Sequence, residues 1–370
     1  VLPFTRPSIS EEEINAVVEV LKSGWITTGP KVAELEKALS DYIGAHLPVR
    51  LFNSATAALE DILLACDIGP GDEVIVPAMS FVATANVVVR VGAKPVFVDV
   101  DLHSRNLDVE RVEQALTPST RAIIPVHFAG LAVDMDPLYA LAEKHKLIVI
   151  EDAAQAIGTT YKGRQIGASG NPVVFSFHPN KNMTTIEGGA LTCSDSEIIK
   201  RVERLRFHGI ERNELGEISV AEWGGKSNLP DVSAALGLVQ LKKLDGFNER
   251  RRQLAQRYLA TLKDHPALVK PAGGEGHSWH MFCVCIDSGA LDMTRNQILD
   301  FLREREIAAG VHYPAIHTMP LYRRFGYGPG DFPNAERIGE QTITLPLFPA
   351  MTEADVDRVC NALHELLDLE

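Results

Sequence analysis

From residue 73 onward, short apolar runs alternate with helical patterns in a rhythm that few folds accept. Runs at 73–77, 94–99, 121–126, 147–151 and 173–177 are five or six residues long and rich in Val, Ile and Phe. Amphipathic stretches at 83–91, 109–116 and 137–145 lie between most of them. Runs this apolar suit strands buried on both faces, and strands separated by helices pair in parallel through crossovers. The rhythm predicts a mainly parallel sheet with helices on both faces. In open sheets of that kind ligands bind beyond the carboxyl ends of the strands, so the residues after each run are the ones to inspect.

Two of those positions carry chemistry. The run 147–151 leads into Glu151 and Asp152, and the run 173–177 leads into a polar loop bearing Lys181. A lysine held between apolar strands meets partial desolvation, which lowers its pKa and frees an amine to form a Schiff base with a carbonyl. Taken alone, a loop lysine is usually solvated. A carboxylate at a strand end is by itself most often a cap for the next helix. Together they suit pyridoxal 5'-phosphate, whose ring nitrogen needs an acid to keep it protonated. Asp152 is the candidate acid, and Gln155 is spaced to hydrogen-bond the phenolic oxygen of the ring.

A cofactor phosphate needs a cradle. The stretch 53–65 opens with Asn53, Ser54, Ala55 and Thr56 and continues with good helix formers. Free N–H groups and a partial positive charge at a helix start suit a phosphate, so the Ala55 and Thr56 amides and the Thr56 hydroxyl are candidates. Ser176, at the end of the run 173–177, is a further candidate on the phosphate. Phe81 follows a strand and has core packing as its plain reading, or stacking on a pyridine ring.

Several separate motifs, in order, carry a resemblance. Val149-Ile-Glu-Asp-Ala-Ala-Gln, Phe175-Ser-Phe-His-Pro-Asn-Lys and Glu187-Gly-Gly resemble the sugar-nucleotide aminotransferases of the DegT group. Leu2-Pro-Phe-Thr-Arg-Pro and Ser23-Gly-Trp-Ile-Thr-Thr-Gly-Pro are similar to the branch that makes UDP-4-amino-4-deoxy-arabinose for lipid A modification. The likeness runs on through Leu345-Pro-Leu-Phe-Pro and Met351-Thr-Glu-Ala-Asp-Val. It implies the fold-type-I α/β architecture, a mainly parallel seven-stranded sheet plus a smaller C-terminal α/β domain, divided here as 1–250 and 251–370. It implies pyridoxal phosphate on Lys181, an aromatic ring at Phe81, and Asn228 reaching the cofactor phosphate of the other subunit in a homodimer. Glutamate is the implied amino donor and a nucleotide-linked 4-keto sugar the acceptor. Ala55 stands where the family commonly has Gly. The opening motifs rank a UDP-linked 4-keto pentose first, while Gln155 and His178-Pro-Asn depart from the arabinose branch and make a UDP- or dTDP-linked 4-keto-6-deoxy hexose the second reading. A cofactor-dependent dehydratase would carry His in place of Lys181, and a non-catalytic cofactor-binding sensor is the remote reading. Trp25, His312 and Tyr313 are candidate sugar contacts.

Composition narrows the partners. A net charge of −13 over 370 residues speaks against nucleic acid and anionic membranes as main partners. Five cysteines form no disulfide framework and lack the Cys-x-x-Cys spacing of a redox or metal site. No leader-like stretch and no apolar run of membrane-spanning length stands in the sequence, which predicts a cytoplasmic protein. Residues 211–227 read as a polar, Gly-rich mobile loop, followed by one helix to about 244 and another over 250–262.

Overall fold

The computed structural model describes residues 1–368. Strands Glu73–Pro77, Lys94–Val98, Thr120–Ile123 and Val173–Ser176 alternate with helices Ala83–Arg90, Val109–Gln114 and Met135–His145. Ile148–Val149 and Glu151–Asp152 are two lengths of a single strand. The Ile150 N–H donates to the Ile123 carbonyl (3.0 Å) and the Asp152 N–H to that of Pro125 (2.9 Å), so the ladder continues through the gap. A parallel bridge between Val126 and Asp152 joins the two halves. The described residues thus form one sheet of seven strands, in the order Lys94–Val98, Glu73–Pro77, Thr120–Ile123, 148–152, Val173–Ser176, Gly189–Thr192 and Val49–Phe52. Gly189–Thr192 runs antiparallel to both neighbours, and the remaining pairings are parallel.

Alternate side chains of each strand enter different cores, as a two-residue period demands. Val74, Val76, Ile150 and Val174 pack with the helices Ala55–Ala65 and Ala83–Arg90. Ile75 and Val149 face Met135 and Leu138, whereas Val173 and Phe175 face Leu35, Leu39 and Leu244. Each such buried aliphatic side chain contributes roughly 1.5–3 kcal/mol, which outweighs the modest strand or helix preference of any one residue.

Two expectations are corrected. Residues 211–227 are not a structureless loop: Ile210–Arg212 and Ile218–Val220 pair as an antiparallel hairpin. Asn213 Oδ1 closes its turn by accepting from the N–H groups of Leu215 (3.0 Å) and Glu217 (2.9 Å). Residues 231–262 are not two helices either. Asp231–Thr261 is a single helix of 31 residues, about 46 Å long at 1.5 Å per residue. Its first half packs with Leu35 and Leu39 through Leu241 and Leu244. Its second half supplies Leu254, Ala255 and Tyr258 to the core of the C-terminal part. That part is built on the antiparallel strands Leu268–Val269, Phe282–Ile286 and Thr342–Leu345. The chain start packs there as well, with Leu2 bridged to Ile307 and the Phe4 ring stacked 5.1 Å from His312.

Candidate active site

A cavity of about 270 Å³ opens at the carboxyl ends of the central strands, near the lower limit of roughly 300 Å³ usual for small-molecule sites. Its position follows from the topology, because the strand order reverses between Glu73–Pro77, which leads out to Lys94–Val98, and Thr120–Ile123, which leads the other way to the central strand 148–152. Asp152 ends that central strand. Lys181 lies in the loop between Val173–Ser176 and Gly189–Thr192, and His312 and Tyr313 close the cavity from the C-terminal part.

The helix Ala55–Ala65 points its start into the same space. Ser54 Oγ caps it by accepting from the Ala57 N–H (3.1 Å), and the first intrahelical bond is Ala58 N–H to the Ser54 carbonyl (3.2 Å). The amides of Ala55 and Thr56 come before that bond and suit an anion. Gly189 permits the approach: a Cβ there would lie 2.5 Å from the Ala55 nitrogen, inside contact distance of backbone that cannot move aside. The second glycine of Glu187-Gly-Gly is thereby explained by packing.

Electrostatics divide the two reactive groups. Burial holds the Lys181 amine down to about 8, against the opposing pull of the Asp152 charge. Burial pushes Asp152 upward, and the Thr84 hydroxyl, the Ala154 N–H and the Lys181 charge pull it back. Thr84 Oγ1 donates to Asp152 Oδ2 at 2.8 Å, and the Ala154 N–H donates to Oδ1 at 3.1 Å. Gln155 lines the cavity, and its Oε1 accepts from the Ala129 N–H (2.7 Å). His312 is pushed down to about 4 by burial and the Lys181 charge, so at neutral pH it offers hydrogen bonds without a charge. Its Nδ1 meets Thr344 Oγ1 at 2.9 Å. The Phe81 ring stands half exposed over the cavity, 5.8 Å from the Tyr313 ring.

Nine of the eleven residues expected from the sequence line this cavity: Ala55, Thr56, Phe81, Asp152, Gln155, Ser176, Lys181, His312 and Tyr313. Asn228 and Trp25 do not. Asn228 donates to Thr28 and accepts from Lys226, and Trp25 Nε1 donates to the Thr28 carbonyl (3.2 Å), so both sit on one outer loop cluster. Thr84, Ser80, His178, Asn180 and Glu187 line the cavity without having been foreseen. For Thr84 no local signal existed, since its partner is 68 residues away. Among the described residues no group of three or more His, Cys, Asp or Glu side chains is placed to hold a metal ion. No described helix is long and apolar enough to cross a membrane.

An amine lowered towards neutrality, a buried carboxylate and a helix start around one small space fit the three demands of pyridoxal phosphate: its aldehyde, its ring nitrogen and its phosphate. Fold and site together define a pyridoxal-phosphate-dependent aminotransferase of fold type I. The DegT/DnrJ/EryC1/StrS aminotransferase family matches residues 7–364, and the chain belongs to it. It is 43% identical to the UDP-4-amino-4-deoxy-L-arabinose–oxoglutarate aminotransferase of Shewanella sediminis, over 99% of this chain and 98% of that protein. It is 42% identical to the spore coat polysaccharide biosynthesis protein SpsC of Bacillus subtilis, over 99% and 97%. The PMP form of Spr1654 from Streptococcus pneumoniae superimposes with a TM-score of 0.94 at 35% identity, covering 100% of this chain and 99% of that one. The protein is a sugar aminotransferase that uses pyridoxal phosphate.

Proposed function

We propose that this enzyme moves an amino group from glutamate to C4 of a UDP-linked 4-keto pentose, giving UDP-4-amino-4-deoxy-L-arabinose for lipid A modification. The observation that carries the reading is the full-length similarity to a relative named for that product. A 4-keto-6-deoxy hexose on UDP or dTDP is the second reading. It is favoured by the nearly equal similarity to a protein named for spore coat polysaccharide. One methyl or methylene in a pocket discriminates by only about 1–3 kcal/mol, so a few substitutions separate the two.

Bound pyridoxal phosphate supplies an aldehyde for amine exchange and a ring that takes up electrons. Lys181 presents the amine and, with its affinity for protons near neutrality, carries a proton between donor and cofactor carbons. Asp152 holds the proton on the ring nitrogen. Ala55, Thr56 and Ser176 hold the phosphate, Phe81 covers a ring face, and the Gln155 amide donates to the phenolic oxygen. His312 and Tyr313 contact the sugar in their own chain's site, and Trp25 and Asn228, which lie together outside that cavity, reach the sugar and the phosphate in the site of a second copy.

A homodimer is part of the proposal. The cavity lining includes one lysine and no arginine, although a cofactor phosphate and a nucleotide diphosphate must both be accommodated. Exposed Trp25, Ile26, Leu215, Ile218, Val220 and Trp223 offer apolar surface of the kind that a partner covers. The enzyme works in the cytoplasm in this reading. The test is to convert the cofactor to its amino form with glutamate and compare reoxidation by the two keto sugars in single turnover. A faster return with the pentose is expected, and a clear advantage for the hexose reverses the ranking.

A further inference from the structure

Asp152 is buried, and both its oxygens are engaged, one by the Ala154 N–H and one by the Thr84 hydroxyl. Behind Thr84 stands Ser80, with its Oγ 3.0 Å from Thr84 Oγ1. Both hydroxyls are buried and line the cofactor cavity. Each has a single proton to give. While Asp152 is ionised, the proton of Thr84 is committed to it, and Ser80 must then donate to Thr84. If Asp152 is protonated, the same chain turns round. The direction of two hydroxyls is therefore tied to the charge on one carboxylate.

That charge needs support. Burial alone favours the neutral acid, and a neutral acid cannot hold a protonated ring nitrogen. The other groups near Asp152 are occupied elsewhere or are weak donors. Lys181 is drawn to the cofactor aldehyde. His127 is engaged by Glu151 at 3.0 Å and by the Val133 N–H at 3.1 Å. The Tyr313 hydroxyl, raised by burial, approaches from the C-terminal part without a hydrogen bond to Asp152. The Thr84 hydroxyl is the side-chain donor in contact with the carboxylate. It stands in the first turn of Ala83–Arg90, where the helix start adds positive potential.

We propose that Thr84, backed by Ser80, is a positioning residue that keeps Asp152 ionised and aimed, so that the proton stays on the cofactor ring nitrogen. The proposal rests on the reading in which Asp152 faces that nitrogen. It requires the hydroxyl and not the shape of Thr84, which sets it apart from a packing role.

The experiment loads the enzyme with cofactor labelled with ¹⁵N in the ring and reads the nitrogen resonance, alongside cofactor affinity. Wild type and Thr84→Ser should show a protonated nitrogen. Thr84→Val, of equal shape, should shift the resonance towards the neutral form and weaken cofactor binding about ten-fold, the scale of one hydrogen bond to a charged group. Ser80→Ala should move the signal the same way by less. A wild-type resonance and affinity in Thr84→Val overturns the proposal. Should that variant not fold, an unmoved resonance in Ser80→Ala does so instead. A neutral nitrogen in the wild type, or no change in Asp152→Asn, refutes the Asp152 role itself and this inference with it, whereas a failure confined to Thr84 leaves Asp152 in place.

Discussion

Lys181 and Asp152 pull on each other in opposite senses, and the pair sets a pH window. Burial makes the folded protein hold the Lys181 proton less tightly than the unfolded chain, with the folded value near 8 and the ordinary one at 10.5. The unfolded state binds more protons between those values. The cost of the buried amine is therefore full below about pH 8 and fades as pH rises to 10.5. Cofactor attachment needs the neutral amine. In the cofactor-free protein, its rate should rise with pH up to about 8 and then level off, as stopped-flow absorbance can follow. An ordinary lysine would go on gaining to 10.5. The Asp152 charge holds the Lys181 proton on, so Asp152→Asn should move the midpoint downward, and an upward move contradicts the geometry. These two residues were legible because they follow apolar runs and the topology places such positions at the site. Thr84 was not, because its importance comes from a carboxylate brought to it only by folding.

At the scale of elements, polar residues in helices were the misleading signal. A helix to about 244 and another over 250–262 were expected, yet the helix Asp231–Thr261 runs unbroken through Gly246 and Asn248. Asn248 is buried because it serves the loop carrying Lys181. Its Oδ1 accepts from Asn182 Nδ2 (2.7 Å) and its Nδ2 donates to the Ile157 carbonyl (3.1 Å). The hairpin at 210–220 was missed because a side chain, Asn213, makes its turn in a stretch of strand-poor composition. The helix Glu11–Ser23 opens on a capping box formed by Ser10 and Glu13, and Glu13 has a second duty. Its buried carboxylate accepts from Gln240 (2.8 Å) and Lys243 (3.0 Å) on the long helix. Burial opposes ionisation there, but hydrogen bonds from Ser10, Lys243 and Gln240 outweigh it and hold the group down to about 2. That depressed value contributes stability that is complete above about pH 4.5 and lost as pH falls through 2. Glu13→Gln should lower the stability by about 2 kcal/mol at pH 7 in urea unfolding, and by less at pH 3. An equal loss at both pH values would show that the carboxylate charge is not what pins the two helices.

For the molecule as a whole, the parallel alternation made the sheet readable in advance, while the sharing of sites between chains is implied by resemblance and remains a proposal. The division into 1–250 and 251–370 stays a proposal, with the long helix passing through it. Shared sites are the sharper proposal. Lys181→Ala and Asn228→Ala subunits, each impaired alone, should recover activity when mixed and allowed to exchange, because one site of the hybrid then has both groups intact. A monomer in light scattering at working concentration would contradict the dimer. The central claim joins Lys181, the cofactor and the keto sugar, and a single measurement reaches all three. Borohydride reduction fixes the cofactor to its lysine, and peptide mass mapping locates it. The account predicts the label on Lys181, its absence when glutamate is added before reduction, and its return when UDP-linked 4-keto pentose follows the glutamate. A label on Lys162 or Lys226, or one that neither glutamate nor the keto sugar alters, would contradict it.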